Sequence, residues 1–240
     1  MKVAALIPAR SGSVRVKDKN IKIFAGHPLI GRKIQQLRLS DVDEIFLGSD
    51  SEEYLEIAEQ YGATPILRSE IACDEKVSSA NNMIADFLNR IPEAFDIIVW
   101  VHCTNPFLYA RHYNDAIKLM LDNSLSHDSL LSVYKMKSHM WEDEATPVNY
   151  NPWAEKHTLA KDLKPVYFQT GGIFIQWAKN MRKNNYFFAN KPKFVIHDSI
   201  EAIDIDTEKD FRFANSIASE VDQREDFRIK LRVTNGIKDR

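Results

Sequence analysis

The chain has 240 residues, 44% hydrophobic and 28% charged, with a formal net charge of −2. That is enough to bury a sizeable core, and neither a disordered nor a fibrous class is indicated. A near-neutral balance excludes a general nucleic-acid binder, whose footprint is a strongly basic face. No apolar run reaches the roughly 18 residues needed to span a bilayer. The opening MKVAALIPAR turns into a charged loop too early for a signal peptide, so a cytoplasmic protein with no membrane partner is expected. Cys73 and Cys103 lie in different segments without metal-ligand spacing and read as buried thiols.

The first strand-length apolar run is VAALI (3–7), followed by a loop with Arg10, Arg15, Lys17 and Lys19 around Ser11, Gly12 and Ser13. Pro28 then marks a helix start, with Leu29, Ile30, Ile34 and Leu37 as one stripe. EIFLG (44–48) is the second strand; after it Asp50 and Glu53 have capping-box spacing, and Gly62 stops the helix that follows. TPIL (64–67), DIIVWV (96–101) and SLLSVY (129–134) are further strands, with helices at 79–90 and 110–122. The alternation predicts βαβ units, hence an α/β fold with a mostly parallel central sheet flanked by helices. From Met136 to Gln169 the periodicity lapses into a polar, aromatic and proline-containing stretch, read as an excursion outside the main sheet. Its Trp141, Tyr150, Trp153 and Tyr167 suit an interface core, and a second subunit is one candidate to cover them. GGIFIQW (171–177) and FVIHDSIEAIDID (194–206) resume the strand pattern. A helix over 207–221 follows, with Asp206 or Thr207 as cap, and FRIKLRV (227–233) reads as an edge strand.

Ligands of an open parallel sheet bind at the carboxyl ends of its strands, here the loops after Ile7, Gly48, Val101 and Ile175. In the first of these, small residues let backbone N–H groups approach an anion while Arg10, Arg15 and Lys19 supply charge-assisted bonds. The loop matches neither the P-loop nor the dinucleotide fingerprint, so a merely solvated loop stays open on this stretch alone. Late in the chain, strand alternation would put Asp204 and Asp206 on one face, where a hard cation such as Mg²⁺ would relieve their repulsion. The alternative is that one carboxylate caps the next helix and the other pairs with a lysine. An anion loop with a carboxylate metal site points to nucleotide phosphates.

The stretches IPARSGSVRVKDKNI, HPLIGRKI, FLGSDSEEYLEIAEQYGATPILR, VHCTNPF, QTGGIFI and AIDIDTEKDF occur in this order over residues 3 to about 215. In that order they resemble the acylneuraminate cytidylyltransferase family, which makes CMP-activated nonulosonic acids. The resemblance implies a GT-A-like nucleotidyltransferase fold formed by residues 1–135 and 170–221. It makes 136–169 a dimerisation arm of a homodimer and 222–240 a tail. It puts CTP on Arg10, Ser13, Lys19, Asn20 and Arg68, and Arg15, adjacent to a position where the family has lysine, is expected to take over that phosphate contact. It puts the acidic sugar near His102, Asn105 and Gln169, and Mg²⁺ on Asp204 and Asp206. Arg10, Lys19 and Asp206 are then the catalytic residues. Val14 stands where the family commonly has lysine, His102 where it has glutamine, and Asn105 where it has serine. The rivals are a glycosyltransferase, because Asp204-Ile-Asp206 also reads as a DxD metal motif, and a non-catalytic nucleotide-binding relative.

Overall fold

The computed structural model describes residues 1–13, 15–74 and 76–227. The expected edge strand over 227–233, apart from Phe227, and the Val14 departure therefore lie outside the described residues. The elements run β1 (Val3–Pro8), β2 (Ile23–Phe24), β3 (His27–Pro28), α1 (Leu29–Arg38), β4 (Glu44–Ser49), α2 (Glu52–Tyr61), β5 (Thr64–Leu67), α3 (Glu70–Cys73), α4 (Ala80–Asn89), β6 (Ile97–Trp100), α5 (Ala110–Asp122), β7 (Ser129–Met136), β8 (Val166–Trp177), α6 (Ala178–Asn184), β9 (Pro192–His197) and α7 (Glu208–Arg224). β2 and β3 form a small hairpin beside the main sheet, whose order is β5-β4-β1-β6-β8-β7-β9.

The side-chain period of two is visible in β1. Val3, Ala5 and Ile7 face α1, α2, α5 and α7, whereas Ala4 and Leu6 face α4 and α6, so both faces are covered and the strand reads as continuously apolar. The sheet is mostly parallel, as expected, with β8 the exception: it runs antiparallel to β6 and to β7. This corrects the expectation of a ligand loop after Ile175. Because β8 is reversed, Trp177 pairs with Ile97 at the start of β6, and its middle, around Gly171, lies toward the site end.

Two local expectations also change. The N-cap of α2 is Ser51, whose hydroxyl accepts from Tyr54 N, and Asp50 is turned elsewhere; Gly62 ends the helix at φ +94°, as its lack of a Cβ permits. β9 stops at His197, so Asp204 and Asp206 are in an irregular segment rather than a strand. The cap of α7 is Thr207, in a reciprocal box with Asp210. Between β7 and β8 the excursion closes on itself. Asn149 Nδ2 donates to Ser138 O (2.9 Å) and Lys164 O (3.0 Å), while Trp141, Tyr150 and Trp153 meet edge to face. Trp153 remains 71% exposed, so this aromatic cluster is not covered by the described residues.

Candidate active site

The chain leaves β1 at Pro8 and is held open as a loop by two side-chain bonds. Asn20 Nδ2 donates to Arg10 O (3.0 Å), and Ser11 donates through both its N–H (2.8 Å) and its hydroxyl (3.0 Å) to the Asp50 carboxylate beyond β4. Asp50 therefore serves this loop and not the helix cap. The loop then returns so that Lys19 Nζ donates to Ile205 O (2.8 Å) and reaches Asp206 Oδ1 (3.4 Å), while Arg15 Nη2 bonds the same oxygen (3.0 Å). The first loop and the late carboxylates thus meet, although 186 residues separate Lys19 from Ile205.

The two carboxylates differ. Asp206 is half-exposed and paired with cations. Asp204 is enclosed, and its Oδ1 has no hydrogen-bond partner among the described residues. Burial holds its carboxyl above the ordinary range; a hydrogen bond from Thr104 works against this and the nearby Asp206 charge adds to it. The segment is fixed against the loop after β6, where Ile205 N donates to Thr104 O (2.9 Å) and Asn105 Nδ2 donates to Ile203 O (3.3 Å). Asn105 has a fully buried side chain, and its second bond, to Thr170 O (3.1 Å), reaches β8. It braces the site from behind instead of lining the cleft.

Arg10 stands at the junction of two cavities. One, of about 510 Å³, is bounded by Pro8, Arg68, Ser79, Met83, Trp100 and His102. The other, of about 670 Å³, runs past Ser11, Gly12, Asp50, Asp74 and Lys76. His102 lines the first as a neutral imidazole: burial drives it down to about 4, Trp100 Nε1–H donates to its Nε2 (3.2 Å), and its other nitrogen bonds the Gly171 backbone. Arg68 also borders this cavity, but its guanidinium is held by Asp86 (2.9 Å) and by the carbonyls of Met83 (2.7 Å) and Ala72 (3.2 Å). It can cross β4 so closely because residue 48 is glycine; a Cβ there would lie 2.6 Å from Arg68 Cδ. Ser13 is half-buried in the loop, and Gln169 is exposed on β8, two residues before Gly171.

Sequence reasoning did not single out Lys33 or Arg32, both fully buried on α1. Lys33 Nζ donates to Asn105 O (2.8 Å) and Tyr113 OH (2.7 Å), and burial pushes it down to about 7. Arg32 holds Pro106 O (2.9 Å). The available signal was their place among the apolar residues of α1, since cations buried on a core face need specific partners.

The chain has known relatives. The cytidylyltransferase family profile matches residues 4–232. The chain belongs to the cytidylyltransferase family. It is 30% identical to a CMP-N,N'-diacetyllegionaminic acid synthase of Legionella pneumophila, over 90% of this chain and 96% of that one. It is 29% identical to a pseudaminic acid cytidylyltransferase of Campylobacter jejuni, over 89% and 95%. A solved CMP:2-keto-3-deoxy-manno-octonic acid synthetase complexed with CTP superposes with a TM-score of 0.63 over 92% of this chain and 99% of that one; at 15% identity that likeness speaks for the fold. No helix among the described residues of this cytidylyltransferase is long and apolar enough to cross a membrane.

Proposed function

We propose that this cytidylyltransferase joins CMP from CTP to the anomeric hydroxyl of a nonulosonic acid and releases pyrophosphate. The observation that carries the reading is the convergence of Arg15 and Lys19 on the Asp204–Asp206 segment, beside a cleft lined by Arg10 at the carboxyl end of β1. The names of the Legionella and Campylobacter relatives supply the class of acceptor.

In this reading the sugar hydroxyl attacks the α-phosphorus in line, the bond to the β-phosphate oxygen breaks, and no protein nucleophile is needed. The protein contributes positioning and charge. Arg10 and Lys19 face the triphosphate, with Ser13, Arg15 and Asn20 shaping the loop around it. Arg68 borders the cavity as a wall, since its guanidinium bonds are already made within the protein. His102, with both nitrogens bonded and its ring neutral, offers the acceptor a surface without charge. Gln169 is proposed at the acceptor side of β8.

Asp204 and Asp206 suit Mg²⁺ on the ground that Asp204 Oδ1 is buried and unpartnered among the described residues, next to a second carboxylate. When bound there, Mg²⁺ would supply charge neutralisation to the phosphate oxygens. Because Val166–Gln169 pair with β7 in the main sheet, the arm expected over 136–169 ends at Pro165, and a homodimer formed through it is part of the same proposal, supported by the exposed Trp141 and Trp153. The two buried free thiols suit a reducing compartment, and we place the reaction in the cytoplasm. Pyrophosphate release from CTP with a panel of nonulosonic acids tests the reading. Turnover is expected with at least one of them, and CTP binding without turnover on any would overturn it.

A further inference from the structure

The Asp204–Asp206 segment follows an irregular turn, so something other than a sheet ladder must hold it. Within the turn, Asp198 Oδ1 accepts from Ile200 N and Glu201 N (both 2.8 Å), and Ala202 N donates to Asp198 O (3.0 Å). These bonds close the turn on itself but tie it to nothing else. Downstream, Ile203 O and Ile205 are held by Asn105, Thr104 and Lys19; from the turn itself a further link outward is the Glu201 side chain, 16% exposed. Its Oε1 accepts from His112 Nε2 (2.7 Å) and Arg111 Nη2 (2.8 Å) at the start of α5, and its Oε2 accepts from Asp198 N (2.9 Å).

The partners of Glu201 are themselves fixed. His112 Nδ1 accepts from Tyr109 N (2.8 Å), which leaves the proton on Nε2 and makes His112 a donor to Glu201. Arg111 is clamped by Glu225, the C-cap of α7, through two further bonds of 2.8 Å. All three groups that face the Glu201 carboxylate are donors, so a carboxylate satisfies the site and an amide does not. Its acidity agrees: the His112 hydrogen bond holds Glu201 well below the usual carboxylate range.

We propose that Glu201 is a positioning residue for the metal-binding carboxylates, anchoring the turn to α5 so that Asp204 and Asp206 keep the spacing a divalent cation requires. The inference rests on the assignment of Mg²⁺ to that pair. Such outer contacts, when lost, typically lower metal affinity or activity about 10- to 100-fold.

The test uses Mn²⁺ as the probe, its free concentration read by electron paramagnetic resonance in the presence of CTP and the full chain. Glu201→Gln is expected to weaken Mn²⁺ binding about tenfold and lower kcat at limiting Mg²⁺, with added Mg²⁺ restoring much of the rate and the KM for CTP at saturating metal little changed. Glu225→Gln, which also removes a bond to Arg111 but lies at the end of α7, should leave Mn²⁺ binding unaltered. If Glu201→Gln does not fold, His112→Asn serves, because its side chain is too short to reach Glu201; a smaller loss in the same direction is expected. Mn²⁺ binding that is lost in Asp206→Asn yet intact in these variants overturns this proposal alone. Mn²⁺ binding that survives Asp206→Asn unchanged overturns the metal assignment beneath it and the proposal together.

Discussion

The buried ion pair between α1 and α7 gives the most direct test of how this scaffold is held. The Arg32 side chain is 1% exposed and that of Asp222 17%; the two share bonds of 2.8 Å and 2.5 Å. Tyr109 OH adds a third contact, donating to Asp222 Oδ1 (2.7 Å), and Phe227 packs over the guanidinium at 4.9 Å. Removing one partner leaves the other charge buried without compensation, at a cost of about 3–5 kcal/mol, whereas replacing both with apolar residues of similar volume is often close to neutral. Asp222→Asn should therefore lower stability by about 3 kcal/mol or more, which for a chain of this size is a fall in Tm of roughly 10 °C. The double variant Arg32→Met with Asp222→Leu should recover most of the loss. Calorimetry and urea titration of the parent, two single variants and the double variant read this out. An Asp222→Asn protein within about 1 kcal/mol of the parent would refute the reasoning, because the cost of an unpaired buried guanidinium leaves no room for so small a change.

Asp206→Asn should abolish turnover with little change in Tm, measured by pyrophosphate release at limiting Mg²⁺, because it removes the half-exposed carboxylate proposed to hold the metal rather than a core contact. Arg10→Ala should weaken CTP binding by calorimetric titration, whereas Lys2→Ala, at the opposite end of β1, should not. His102 and His197 are both pushed by burial from 6.5 down to about 4. The unfolded chain then binds more protons between those values, so stability is complete above about pH 6.5 and is lost as pH falls toward 4, by up to about 3 kcal/mol for each histidine. Thermal melts from pH 8 to 5 should show this slope, and it should flatten in His197→Phe. Trp153→Glu should halve the mass seen by light scattering and lower activity if the exposed arm aromatics are the dimer contact.

Much of the sheet was legible because its strands are buried on both faces and so appear as short continuous apolar runs, such as VAALI and IIVW. Direction was not legible: GGIFIQW has the same texture as a parallel strand, and only its pairing with β6 shows it reversed. Charge convergence in the first loop was readable from residue types, since four cations around Gly12 need an anion or solvent wherever they lie. What they meet was not readable, because Lys19 finds Ile205 through the fold and not through spacing.

The IDID segment shows how a local pattern can be right in consequence and wrong in cause. Alternating isoleucine and aspartate imitates a strand with one apolar and one acidic face. In the structure Ile205 is indeed buried, but Asp204 is enclosed too, and the backbone is held by Thr104, Asn105 and Lys19 and not by a neighbouring strand. A strand would have shared its register with a ladder of backbone bonds, and no single side chain would have mattered to where the carboxylates stand. An irregular segment concentrates that dependence on a few side-chain bonds, which is why the polar residues at 104, 105 and 201 carry consequences for the site that their neighbours on the sheet do not.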